Sequence, residues 1–359
     1  MISLFDKNLK KIKHIYYFMS NCTIELFGLM ANNEVIDSCE LANKNGMLLK
    51  IMGYGATVTS LKIPLKNGKL IDVVLGFDTL NNYIKSFDLV SAPYFGCTVG
   101  RFAGRINDGI FTLNSDTFHL NKNNNNHSIH GGKEGFSQKL WKITSEQDGK
   151  NPSVTLCYHS LHNEENYPGE LAVQVTYTIS EDNELIIEYH ATTTQDTVVN
   201  LTHHSYFNLN GHQSDVLDQE LFINSEKILE TTAELIPTGI FLDTVNSDMD
   251  FNKSKNCPEI IDNTFILDCN KEMAASLYSK ENNLKMEVYT SQPAVHVYVG
   301  GNCFDTIKGK EGVNYHSTSG ICFETQNFPD APNHKHFPNS VLKKGEVYYQ
   351  KTIYKFVAL

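Results

Sequence analysis

Four segments of this chain have the residue types and spacing to move protons on a small polar ligand. The first carries a single acid, Glu324, within Gly320-Ile-Cys-Phe-Glu-Thr-Gln-Asn-Phe-Pro-Asp-Ala-Pro332. Ile321 and Phe323 alternate with smaller neighbours, the period of a half-buried strand, and Pro329 and Pro332 forbid its continuation. A carboxylate at such a strand end, followed by the amides of Gln326 and Asn327, is held rigidly and partly out of water. That is how a chain makes a positioned general base. The second segment is Gly100-Arg-Phe-Ala-Gly-Arg-Ile-Asn107, which holds the only arginines, Arg101 and Arg105. A chain with two guanidinium forks, both in one segment, assigns them a specific role.

The other two segments supply imidazoles. In Asn126-His-Ser-Ile-His-Gly-Gly-Lys-Glu-Gly-Phe136 the glycines imply close backbone packing, or a turn of positive φ that presents His130. It is no phosphate loop, because Gly132-Lys133 is followed by Glu134 rather than Ser or Thr. In Val199-Asn-Leu-Thr-His-His-Ser-Tyr-Phe-Asn-Leu-Asn-Gly211 polar residues interrupt an aromatic strand. Successive strand residues face opposite sides, so only one of His203 and His204 can face a given pocket. His127-x-x-His130, His203-His204 and His334-x-His336 offer imidazoles to a metal. None sits on a helix that would bring ligands at i and i+4 together, so no metal is expected.

The elements that must position these groups read as strand after strand. Met47–Ile51 and Val58–Ile63 lead into Lys66-Asn-Gly-Lys69, a type I′ hairpin signal, and then into Ile71–Leu75. Val173, Val175, Tyr177 and Ile179 alternate, Ser180–Asn183 turns, and Leu185, Ile187 and Tyr189 return. Lys285–Tyr289, Val295–Tyr298 and Tyr348–Phe356 repeat the pattern, and no segment has the period of a long amphipathic helix. No linker divides the chain. The expectation is one large antiparallel β-sandwich over residues 23–359, with 1–22 as a poorly ordered extension. Asn123–Asn126 reads as a polar low-complexity loop.

The 359 residues are 41% hydrophobic and 20% charged, enough to bury a core. The net charge of −11 argues against nucleic acid or an anionic membrane surface as partner. Eight cysteines without a C-x-x-C pair form neither a disulfide framework nor a zinc site. With no membrane span or signal-peptide core in view, they point to the cytoplasm.

Taken together, Gly100-Arg-Phe-Ala-Gly-Arg-Ile106, His130-Gly-Gly-x-x-Gly-Phe136, Asn200-Leu-Thr-His-His-Ser-Tyr-Phe-Asn208 and Glu324-Thr-Gln-Asn-Phe-Pro-Asp330 resemble, in order and spacing, the signatures of the aldose 1-epimerase (galactose mutarotase) family. The resemblance covers residues from about 25 to the end. It implies an all-β fold, a large antiparallel β-supersandwich, and an isomerase that interconverts the anomers of free aldohexoses such as glucose and galactose. It also implies Glu324 as general base, His204 as general acid and His130 as a second pocket histidine near the ring oxygen. By the same resemblance, Arg105, Asp262 and Gln292 hold sugar hydroxyls and Tyr206 lines the site. Gly104 and His203 depart from it, since many relatives carry Asn at both places.

Anomer exchange opens the hemiacetal, turns the C1 aldehyde over and closes the ring on its other face. A base takes the C1 hydroxyl proton while an acid protonates the ring oxygen, and closure returns both. The net change is zero, so no cofactor, metal or covalent intermediate is required. The expected partner is a monosaccharide, for a monomer or homodimer. Tyr206, Trp141 or Phe328 would form an apolar wall under the sugar ring. Rival readings are a hexose-6-phosphate epimerase, which would need a cation cluster for the phosphate, and a sugar-binding or regulatory protein that keeps the pocket without the chemistry. A lyase or hydrolase on a similar sandwich would call for a second placed carboxylate.

Overall fold

A computed structural model describes residues 22–268, 273–300 and 306–359. The extension expected over residues 1–22 lies outside them, except for Cys22, which already pairs with Leu41 in the first strand, Cys22–Leu29. The alternation seen in the sequence becomes antiparallel sheet. Five consecutive strands between Cys22 and Asp72 form one sheet in chain order. A nine-stranded sheet runs Lys142–Gln147, Ser153–Ser160, Leu171–Ile179, Glu184–Thr193, Tyr348–Ala358, Leu284–Thr290, Ala275–Ser279, Glu220–Ile223, Lys255–Asn256. A six-stranded sheet runs Tyr206–Phe207, Ile321–Gln326, Ala294–Val299, Ile261–Ile266, Lys227–Thr231, Pro237–Asp243. The α-helix among the described residues, Leu80–Ser86, is short and capped by Thr79.

The hairpin at Lys66–Lys69 differs from the type I′ turn that Asn67-Gly68 predicts. Gly68 N–H donates to Leu65 O (2.9 Å) and Leu65 N–H to Lys69 O (2.8 Å), and of the Asn-Gly pair Gly68 alone has positive φ. This is a three-residue loop with a bulge at glycine, whose twist also suits antiparallel strands. The Asn67 side chain accepts from Lys69 N–H and holds it closed.

The six- and nine-stranded sheets stack. Tyr354 OH donates to Phe323 O (2.8 Å), Gln350 Nε2 donates to Thr325 O (2.8 Å), and the Phe207 and Tyr354 rings lie 4.9 Å apart. Phe323, Val295, Val297, Val288 and Ile187 are fully buried in this core, each such side chain contributing about 1.5–3 kcal/mol. Period-two alternation then sends every second residue of the six-stranded sheet the other way, and that opposite face is where the site lies.

The expected aromatic wall needs correction. Trp141 is 1% exposed in the main core, stacked edge-on with Phe136, and its Nε1 donates to Phe136 O. Phe328 belongs to a separate buried cluster with Phe102 and Ile106. Both aromatics serve packing.

Candidate active site

A cavity of about 200 Å³ opens over the six-stranded sheet, below the ~300–1,000 Å³ of pockets for drug-sized ligands. Its floor is built by register. Along Ile321–Gln326 all six residues are buried. Ile321 and Phe323 face the main core, while Cys322 packs with Tyr206 and Tyr298, and Glu324 and Gln326 line the cavity. The strand therefore continues two residues past Glu324 rather than ending there. On the neighbouring strands His296 is the Cα partner of Glu324, Tyr298 of Cys322, Thr264 of His296 and Asp262 of Tyr298. Asp262, Thr264, His296, Tyr298, Glu324 and Gln326 thus share one face of three adjacent strands, and all line the cavity.

His204 arrives from the next segment. Its backbone N–H donates to Cys97 O (3.0 Å) and its carbonyl accepts from Gly96 N–H (3.0 Å). This seats the ring so that Nε2 lies 3.4 Å from Glu324 Oε1. Both side chains are almost wholly buried, and Glu324 Oε2 is a buried acceptor with no hydrogen-bond partner among the described residues. A buried polar atom of this kind in a cavity is a ligand-binding atom in waiting. His203 faces the opposite side, as alternation requires. It sits between the Tyr177 and Tyr354 rings with Nε2 at 2.7 Å from Ser205 Oγ, and burial, together with the His204 charge, lowers its pKa to about 3.

His130 is brought in by its two glycines. Gly131 and Gly132 have φ of +91° and +113°, and a Cβ on Gly131 would collide with the Gly100 carbonyl. The histidine loop and the arginine segment therefore pack backbone to backbone. His130 and His204 rings meet edge to face at 5.4 Å. Gly104 N–H donates to His130 Nδ1 (3.3 Å), making Nδ1 the acceptor and placing the neutral ring's proton on Nε2. Burial, then the charges of His204 and Arg105, hold His130 well below the ordinary histidine pKa, so it is a neutral hydrogen-bonding group.

The two arginines part company. Arg101 is 2% exposed and donates to Ser160 Oγ and to the carbonyls of Ser160, Leu161, Pro168 and Gly169. It fastens a loop. Arg105 reaches the cavity, its Nε donating to Asn124 Oδ1 at 3.0 Å. Burial lowers its pKa against the opposing charges of Asp262 and Glu324.

Asp262 stands where expected and pairs with His296 Nε2 at 2.9 Å, while His296 Nδ1 meets Thr264 Oγ1 at 2.9 Å. Burial opposes the His296 charge, but the Asp262 hydrogen bond and the charges of Asp262 and Glu324 outweigh it and raise the pKa. Tyr206 lines the cavity and packs on the His204 ring at 5.4 Å. Gln292 does not reach the site. It follows the strand Leu284–Thr290 in a turn whose Gln292 N–H is held by Thr290 Oγ1, and it lines a separate surface depression with Asn327 and Tyr348.

Sequence reasoning missed His296, Gln326, Tyr94 and Tyr298. Tyr94, at φ +52°, lays its ring against His130 (4.9 Å) and His204 (5.7 Å). Counting in twos from Glu324 would have found Gln326, and a histidine between two core valines in Val295–Tyr298 was the signal for His296. Tyr94 lies in a loop without period. His130, His204 and Glu324 bring their ligand atoms within 4.8 Å of one another, so the geometry alone would also admit a cation. It equally suits a carboxylate and two imidazoles sharing protons with a ligand.

Known proteins resemble this chain over most of its length. The model of the family described as aldose 1-epimerase matches residues 37–355. Galactose mutarotase of Bos taurus is 40% identical over 317 residues, covering 85% of this chain and 90% of the relative. Aldose 1-epimerase of Haemophilus influenzae is 37% identical over 332 residues, covering 88% and 94%. Among solved structures, an aldose epimerase homologue from C. elegans superposes with a TM-score of 0.82 at 30% identity, covering 89% of this chain and 98% of its own. With the family model spanning the cavity and all three segments that carry its histidines, the chain belongs to the aldose 1-epimerase family.

Proposed function

We propose that this protein is an aldose 1-epimerase, an isomerase that interconverts the α- and β-anomers of free aldohexoses, glucose and galactose among them, by acid–base ring opening and reclosure. The observation that carries the reading is the buried contact of His204 Nε2 and Glu324 Oε1 at 3.4 Å on the floor of a cavity of about 200 Å³. The two oxygens that exchange protons in this reaction hang on the same carbon. A donor and an acceptor one hydrogen-bond length apart can therefore address both at once.

Glu324 takes the C1 hydroxyl proton as His204 delivers its proton to the ring oxygen, and the C1–ring-oxygen bond breaks to leave an aldehyde. Rotation about C1–C2 presents the other carbonyl face. Return of both protons then closes the opposite anomer and restores both side chains. Each proton transfer is worth about 10²–10⁴ in rate. His130, neutral, donates from Nε2 near the ring oxygen, and Arg105 and the Asp262–His296 pair hold ring hydroxyls. Tyr94, Tyr206 and Tyr298 supply the apolar surface in place of Trp141 and Phe328.

Arg105 is the one Lys or Arg in the described cavity wall, and Asp262 and Glu324 lie near it. That wall offers a phosphate little, so a free sugar is favoured over its 6-phosphate. Asp262, the second carboxylate, is engaged by His296. We place the protein in the cytoplasm as a monomer or homodimer with no nucleic-acid partner, in keeping with its free thiols and a charge of −11. Among the described residues no helix is long and apolar enough to cross a membrane. Polarimetry on freshly dissolved α-D-glucose and α-D-galactose tests the reading. Exchange well above the buffer rate is expected, and a rate equal to buffer rejects it.

A further inference from the structure

The run Asn123–Asn126 reads in sequence as a low-complexity loop, and the acid–base chemistry makes no use of it. Yet Asn123 and Asn124 both line the cavity, and their side chains do different work. Asn123 builds the loop. Its Nδ2 donates to Ile129 O (3.0 Å) and Gly132 O (2.8 Å), and its Oδ1 accepts from Ile129 N–H (2.8 Å). Backbone alone closes the turn: His127 N–H donates to Asn124 O (2.9 Å), Asn124 N–H to His127 O (3.2 Å), and Asn125 takes φ +52°.

The Asn124 side chain contributes nothing to that turn. Its Oδ1 accepts from Arg105 Nε at 3.0 Å, while its Nδ2 donates to no protein atom among the described residues. A guanidinium has five donors in a rigid plane. Occupying Nε from one side fixes that plane and leaves the terminal nitrogens for a ligand. A half-buried amide with free N–H bonds, facing the same cavity as a fixed guanidinium, makes a two-donor site. A sugar hydroxyl, with two lone pairs, can accept from both.

We propose that Asn124 is a specificity-determining residue of the sugar site: through Oδ1 it sets the orientation of Arg105, and through Nδ2 it donates to a ring hydroxyl on the Arg105 side of the sugar. The proposal rests on the aldose reading above. Its ligand class is a neutral pyranose that presents an acceptor hydroxyl there.

The test compares wild type, Asn124→Ala and Asn124→Asp by polarimetry on α-D-glucose and on the 2-, 3-, 4- and 6-deoxy sugars. Asn124→Ala raises KM about tenfold, the weight of roughly one hydrogen bond, with kcat changed less than about twofold. Asn124→Asp keeps an acceptor for Arg105 and loses only the free donor, so it recovers part of the KM. Among the deoxy sugars, one is penalised in the wild type and no longer penalised in Asn124→Ala; it identifies the hydroxyl. A KM unchanged in Asn124→Ala, or identical penalties in wild type and variant for every deoxy sugar, overturns the proposal and leaves the aldose reading standing. A wild type without acceleration removes both. Should Asn124→Ala melt at a lower temperature, the same comparison is made with Asn124→Asp.

Discussion

His296 and Glu324 are directly opposed on adjacent antiparallel strands, both facing the cavity, with Asp262 tied to the imidazole Nε2 at 2.9 Å. The sheet thus sets an acid–imidazole pair beside the Glu324 carboxylate. The His296 pKa is raised above 6.5, burial opposing the charge and Asp262 and Glu324 outweighing it. A raised folded-state pKa lends stability that is complete below the unfolded value and is lost as pH climbs through the folded one. Asp262, held below 3.8 against burial by His296 and Arg105, contributes above 3.8 and loses that contribution as pH falls. The melting-temperature gap between wild type and His296→Gln should therefore be widest between the ordinary carboxylate and histidine pKa values and narrow as pH rises above the ordinary histidine range. A gap that widens with pH contradicts the assignment.

Removing either proton-transfer group should abolish most of the rate while sparing the pocket. Glu324→Gln and His204→Asn are each expected to lower kcat by about 10²–10⁴. Sugar binding, measured by calorimetry, should stay within about tenfold of wild type. Full activity in either variant removes that residue from the mechanism.

The two arginines should fail differently. Arg101→Met leaves four loop carbonyls and the Ser160 hydroxyl without their donor, a loss of at least about 3 kcal/mol in chemical denaturation. Arg105→Met removes a cavity group with one protein hydrogen bond. It should cost about 1 kcal/mol or less in stability and lower kcat/KM at least tenfold.

Chelation separates proton chemistry from metal chemistry at the His130–His204–Glu324 cluster. EDTA is expected to leave the rate of anomer exchange unchanged. A loss restored by a divalent ion would assign the cluster to a metal. Added Zn²⁺, by contrast, should inhibit, because it would claim the groups that exchange protons.

The β-rich architecture was legible because strands write themselves in period two, and Leu171–Ile179 and Glu184–Thr193 lie where the alternation indicates. Glu324, His204, His130, Arg105, Tyr206 and Asp262 all line one cavity, five of them drawn from the four segments and Asp262 from the family resemblance alone. Gln292 was misplaced because a residue in a turn can point either way, and no periodicity fixes it. Tyr206 lines the cavity as expected, but Trp141 was misjudged for a similar reason: composition marks it as special without saying which side of a sheet it serves. The turn at Lys66–Lys69 shows the same limit on a smaller scale, since Asn-Gly is compatible with more than one hairpin closure.

Alternate positions along Ile321–Gln326 belong to different tasks, one set packed into the interior and the other facing the cavity. Inserting or deleting one residue in this strand, or in its partners Ala294–Val299 and Ile261–Ile266, would turn Glu324 into hydrocarbon and Phe323 into the cavity. Descendants of this chain can therefore explore new amino acids in these strands but not new lengths. The freedom to lengthen or shorten rests with the rim, at the Thr232–Ile236 turn. In this fold the floor of the cavity is locked by counting, while its rim stays open to change.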